Sequence, residues 1–148
     1  MKLEFMKVRP ETDGDLTPPA RQTAGAAGLD LAAGVDRPLT LAPGDIALVP
    51  TGWAVAIPEG FEGQVRPRSG LALKQGLTMV NTPGTIDSDY RGEIQLPMIN
   101  LGRDPVTISR GQRVAQLIIS RVELPEIVVV DELSETGRGS GGFGSTSV

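Results

Sequence analysis

Gly92-Glu93-Ile94-Gln95-Leu96-Pro97-Met98 sets Ile94, Leu96 and Met98 against Glu93, Gln95 and Pro97. A period of two sends alternate side chains to opposite faces of an extended chain, so this stretch reads as a strand with one buried face and one wet or interface face. The same alternation recurs on either side of it. Met6 and Val8 oppose Phe5 and Lys7, and Val106 and Ile108 oppose Thr107 and Ser109. Turn signals punctuate the chain at Pro43-Gly44, Pro50-Thr51-Gly52, Pro58-Glu59-Gly60, Gly70, Gly76, Pro83-Gly84, Gly92, Gly102 and Arg110-Gly111. The segments between them run to about 6 to 10 residues, the spacing of an all-β sandwich or barrel. A short helical turn is expected around Leu71 to Gln75, and no long segment carries the 3.6-residue period of a helix.

Composition agrees and excludes much else. Gly 19 and Pro 12 in 148 residues are too many breakers for a helical bundle, and the length fits one domain. Neither Cys nor His is present, so there is no disulfide framework, thiolate nucleophile, Cys-based zinc site or imidazole base. Acid–base and metal work falls to carboxylates, hydroxyls, amides, Lys or Arg. Apolar residues are 39% and aromatics 3%, enough for one thin core of Val, Ile, Leu and Ala. A net charge of −4 disfavours a nucleic-acid polymer, which demands many Lys and Arg contacts to phosphate. A small phosphorylated ligand needs only a few arginines and backbone N–H groups. Met1 to Pro10 has no apolar core of a targeting signal, and no run approaches the roughly 20 apolar residues of a membrane span, so a cytoplasmic protein is expected.

The organisation reads as a β domain over residues 1–133 and a Gly/Ser-rich tail over 134–148, with no internal repeat. The tail holds five Gly and four Ser and buries too little to order itself. A solvated terminus is the plain reading. Against it, Arg138 and Phe143 stand among glycines, a guanidinium for phosphate and a ring for a base, which suggests a lid that orders on a nucleotide.

Four further stretches carry candidate chemistry. In Ala27-Gly28-Leu29-Asp30-Leu31, Asp30 is either a strand-end turn former or a holder of metal-bound water beside a phosphate. In Val65-Arg66-Pro67-Arg68-Ser69-Gly70-Leu71, Arg68 and Ser69 present donors at the start of a possible helical turn, or simply a surface turn. The Walker A pattern is absent. In Asn81-Thr82-Pro83-Gly84-Thr85-Ile86-Asp87-Ser88-Asp89-Tyr90-Arg91-Gly92-Glu93, a polar hairpin brings Asp87 and Asp89 near the only Tyr, and Asn81 offers a donor and an acceptor to a base edge. In Arg110-Gly111-Gln112-Arg113-Val114-Ala115-Gln116-Leu117, Gln116 interrupts an apolar run and either pairs with backbone inside the core or faces a ligand.

Taken in order, these four stretches and Arg138-Gly139-Ser140-Gly141-Gly142-Phe143-Gly144-Ser145-Thr146 resemble the five motifs of the homotrimeric dUTPase family, from about Ala24 to Thr146. The resemblance implies a distorted β jelly-roll subunit and a homotrimer with three active sites shared at its interfaces. It implies hydrolysis of dUTP to dUMP and pyrophosphate, with Mg2+ on the triphosphate and water attacking the α-phosphorus; the product supplies dTMP synthesis. By the same resemblance Asp87 is the base. Asn81 and the backbone from Thr85 through Ile86 to Asp87 read uracil, Tyr90 lies under the deoxyribose, and Gln95 stands near the base pocket. Arg68, Ser69 and Gly70 cradle phosphate, with Gln116 and Asp30 orienting waters around it and the Mg2+. Arg138 grips the γ-phosphate, and Phe143 with Gly144 closes over the base. Ser147 stands where the fifth motif usually ends in Gly.

Two rivals follow from the same pattern. A dCTP deaminase on this fold would need its deaminating Glu where Pro97 stands. A non-catalytic trimeric nucleotide binder would be expected to have lost Asp87, Arg138 or Phe143, all of which are present.

Overall fold

The computed structural model describes residues 1–142. Its elements follow in the order β1 (Glu4–Lys7), β2 (Leu29–Ala32), β3 (Leu39–Leu41), β4 (Ile46–Ala56), β5 (Phe61–Pro67), α1 (Ser69–Gln75), β6 (Leu77–Met79), β7 (Gly84–Ile86), β8 (Glu93–Asn100), β9 (Val106–Ile108) and β10 (Arg113–Arg121). The expected helical turn is α1, which starts two residues before Leu71 and ends at Gly76.

Every ladder is antiparallel. One sheet has the order β1-β4-β8-β6, a second β2-β10-β5-β7, and β3 pairs with β9. Sheet neighbours are far apart in sequence, the connectivity of a distorted jelly roll in which two sheets enclose one core. Val49, Leu96 and Met98 of the first sheet and Leu31, Val65 and Leu117 of the second belong to that single core. Each such side chain, removed from water, contributes about 1.5–3 kcal/mol, so a core poor in aromatics still holds the sheets together.

The alternation in β8 is met side chain by side chain: Ile94, Leu96 and Met98 are buried and Gln95 is exposed. In β1 the inward residue is Phe5, which packs on the core, while Met6 faces out. The buried amide of Asn100 is satisfied, donating to Leu41 O at 3.0 Å and Asp104 O at 2.8 Å and accepting from Gly102 N at 2.8 Å.

β10 is the strand that positions chemistry in the second sheet. It pairs with β2 on one side and β5 on the other, so Gln116 stands between Asp30 and Arg66. After β10 the chain runs through residues 122–133 without helix or strand, carrying exposed Leu124, Ile127, Val129 and Leu133. Among the described residues no helix is long and apolar enough to cross a membrane.

Candidate active site

The turn after β6, strand β7 and the loop into β8 enclose a cleft of about 170 Å³. β7 pairs with β5 through Gly63↔Ile86 and Val65↔Gly84, which turns Ile86 inward and leaves Thr85 exposed. Val65, Met79, Ile86 and Ile94 make the apolar side of the cleft, and Asn81, Thr85, Asp87, Tyr90, Glu93 and Gln95 its polar side. Residues 87–93 fold back tightly. Tyr90 N–H donates to Asp87 O at 3.2 Å, Arg91 Nη1 to Ser88 O at 2.7 Å, and the Tyr90 hydroxyl to Glu93 O at 3.0 Å. The half-exposed Tyr90 is thereby held by its backbone N–H and by its hydroxyl. Asp87 is exposed and also lines a wider depression together with Phe61, Glu62 and Asp89.

The structure therefore gathers Asn81, Thr85, Ile86, Asp87, Tyr90 and Gln95, six residues singled out from sequence, around one cleft. Asp30, Arg68 and Gln116 gather elsewhere, at the end of β5. Gln116 Nε2 donates to Pro67 O at 3.1 Å, so its amide pairs with backbone while remaining partly exposed. Arg68 Nη1 donates to Arg113 O at 3.1 Å, and its Nη2 lies 3.7 Å from Asp30 Oδ2. Arg113 Nη1 donates to the same Asp30 oxygen at 3.0 Å. A carboxylate of 13% exposure thus sits between two guanidinium groups that remain partly open to solvent. Ser69 and Gly70 open α1 and are exposed; the N–H groups of a helix's first turn have no intrahelical acceptor and suit an anion.

Arg138 stands apart from both groups, its Nε donating to Gly141 O at 2.8 Å. Phe143 and Gly144 lie outside the described residues. Two participants escaped the sequence reading. Arg113 meets Asp30 only through the β2–β10 register, and Glu93 acts through partners far along the chain. Burial pushes the Glu93 carboxyl up, but Arg9 and the Gly52 N–H outweigh it and hold it below the usual carboxylate range.

A polar cleft with an exposed carboxylate, and arginines collected at a strand end, are the kinds of group that a small phosphorylated ligand requires. A family model described as dUTPase matches residues 15–147. The deoxyuridine 5'-triphosphate nucleotidohydrolase of Desulfotalea psychrophila is 56% identical over 147 residues, covering 99% of this chain and 98% of that one. Its counterpart from Caldanaerobacter subterraneus subsp. tengcongensis is 56% identical over 140 residues, 95% of each chain. The solved Staphylococcus bacteriophage 80alpha dUTPase with dUPNHPP matches with a TM-score of 0.87 at 27% identity, over 99% of both chains. The chain belongs to the dUTPase family of dUTP diphosphatases, enzymes that hydrolyse a phosphoric anhydride.

Proposed function

We propose that the chain hydrolyses dUTP to dUMP and pyrophosphate, with Asp87 positioning and deprotonating the water that attacks the α-phosphorus. The observation that carries this reading is the single cleft holding Asn81, Thr85, Ile86, Tyr90 and Gln95 beside the exposed Asp87, in a chain with no His or Cys to serve as base. Asn81 and the β7 backbone read the uracil edge. Tyr90 lies under the deoxyribose and leaves no room for a 2′-hydroxyl. Arg68, Ser69 and Gly70 hold phosphate oxygens, and Arg138, with Phe143 and Gly144, closes the site. Positioning and charge neutralisation of this kind do most of the work in phosphoryl transfer. The product dUMP then serves dTMP synthesis in the cytoplasm.

Mg2+ enters on the triphosphate of the substrate. Among the described residues no group of three or more acidic side chains could hold an ion, and one oxygen of Asp30 is engaged by Arg113. That donor set fits a hard cation ligated mainly by phosphate and water, with Asp30 and Gln116 orienting the waters. When bound, the ion neutralises charge on the phosphate oxygens.

The working form is a homotrimer with shared sites. Two features support it. The phosphate-binding group does not line the cleft of its own chain, so a site completed by a neighbour accounts for the separation. The outer face of the first sheet is apolar where Ile46 pairs with Ile99 and Leu48 with Pro97, and Ile46 and Leu48 are 60% and 57% exposed. Such faces are the material of a subunit interface. Pyrophosphate release from dUTP, dCTP and UTP with Mg2+ tests the reading. Release from dUTP alone is expected; deamination of dCTP, or no turnover of dUTP, contradicts it.

A further inference from the structure

β4 and β8 lose register between Pro50 and Ala54. Pro50 has no N–H to give, and Gly52 takes a φ of 77°, a left-handed conformation that glycine alone adopts without strain. The broken ladder leaves backbone groups to be satisfied, and two side chains do so. Thr51 Oγ1 donates to Ile94 O at 2.7 Å, and Glu93 Oε1 accepts the Gly52 N–H at 2.7 Å. A carboxylate is thereby drawn into the bulge, with a side-chain exposure of only 10%.

Arg9 meets it there from beyond the end of β1. Its Nη1 donates to Glu93 Oε2 and its Nη2 to Glu93 Oε1, both at 2.9 Å. Its Nε lies 3.1 Å from Oδ2 of Asp13, a carboxylate with no exposure, which Arg110 also holds through Nη2 at 3.0 Å. Arg9 is therefore forked onto Glu93 on one side and faces the Asp13 carboxylate on the other, and a forked pair of this kind fixes direction as well as distance. Glu93 is gripped at its carboxylate by Arg9 and Gly52, and at its carbonyl it accepts the Tyr90 hydroxyl at 3.0 Å.

We propose that Arg9 is a positioning residue for sugar selection: through Glu93 it fixes the Tyr90 ring at the distance that excludes a 2′-hydroxyl. The proposal rests on the reading of Tyr90 as the residue under the deoxyribose. Steric rejection of one small group depends on a rigid wall, and a wall free to retreat stops rejecting it.

The test compares Arg9→Met, Arg9→Lys and Glu93→Gln with the unaltered protein. The readouts are kcat and KM for dUTP and UTP, the melting temperature, and the ring resonances of 13C-labelled tyrosine. Tyr90 is the only tyrosine, so its signal is unambiguous. In Arg9→Met the dUTP over UTP ratio of kcat/KM should fall by about tenfold, the scale of one lost close contact. KM for dUTP should rise more than kcat falls, and the Tyr90 resonances should move. Arg9→Lys, a cation without the fork, should recover part of each change. If Arg9→Met does not fold, Glu93→Gln, whose amide oxygen still accepts from Gly52, should show the same loss of selectivity. Unchanged Tyr90 resonances and an unchanged ratio in a folded variant overturn the role of Arg9. A wild-type enzyme that turns over UTP as well as dUTP overturns the reading of Tyr90 instead, so the two failures are distinct.

Discussion

Arg113 donates from Nη1 to Asp30 Oδ2 at 3.0 Å, joining β10 to β2 across 83 residues of sequence. Because Nη2 of Arg68 lies 3.7 Å from the same oxygen, one carboxylate orders two arginines that would otherwise repel. In solvent such pairs contribute little to stability, so under the proposed function the consequence of this one is to hold a guanidinium in place for phosphate. Asp30→Asn keeps the shape and removes the charge. Activity on dUTP should fall by about tenfold to a hundredfold, as for other groups that orient a binding residue, while the melting temperature changes little. Steady-state kinetics over a range of Mg2+ concentration, beside a thermal melt, checks both halves.

Gly28 lies against Gln116: a Cβ built at 28 would stand 3.1 Å from the Gln116 Cβ and 3.2 Å from its Cδ. Gly28→Ala should force Gln116 off its bond to Pro67 O, costing about 1–3 kcal/mol of overpacking strain. Denaturant unfolding measures the loss, and the altered Gln116 should also lower turnover.

The Glu93 carboxyl titrates lower in the folded chain than in the unfolded one, where a glutamate has a pKa of roughly 4.3. The ion pair with Arg9 is then fully present above that value, and its contribution is lost as pH falls through the depressed folded value. Melting temperature should hold between about pH 7 and 5 and drop below about pH 4. Glu93→Gln should lie lower at neutral pH and fall less steeply in acid; parallel profiles would show that this pair does not drive the acid loss.

Much of the fold was legible because it rests on local rules. The alternation in β8 names its buried side chains outright, and Pro67 and Gly76 bracket α1. The cleft was legible because Asn81 to Gln95 is a continuous stretch that folds on itself. The pairs Arg9–Glu93 and Asp30–Arg113 were not, since each joins residues more than eighty positions apart through strand register. No periodicity reports such a pairing. The β4 bulge was hidden too: Pro50 and Gly52 read as a turn, whereas the structure uses them to break a ladder inside one continuous strand.

Deleting Gly137 to Val148 removes Arg138 and the glycine-rich segment after it, and of that segment the described residues 137–142 lie outside the core. The truncated chain should keep its assembly and melting temperature and lose nearly all turnover. Sedimentation and pyrophosphate release together check this, and full activity in the truncated enzyme would remove the lid from the mechanism.

The role of Asp87 is tested most directly by Asp87→Asn, assayed for pyrophosphate release from dUTP and, in parallel, for affinity toward a non-hydrolysable dUTP analogue. Turnover should fall by about a hundredfold or more with affinity largely intact, the signature of a lost general base. Unimpaired turnover, or a loss of affinity as large as the loss of turnover, would contradict it.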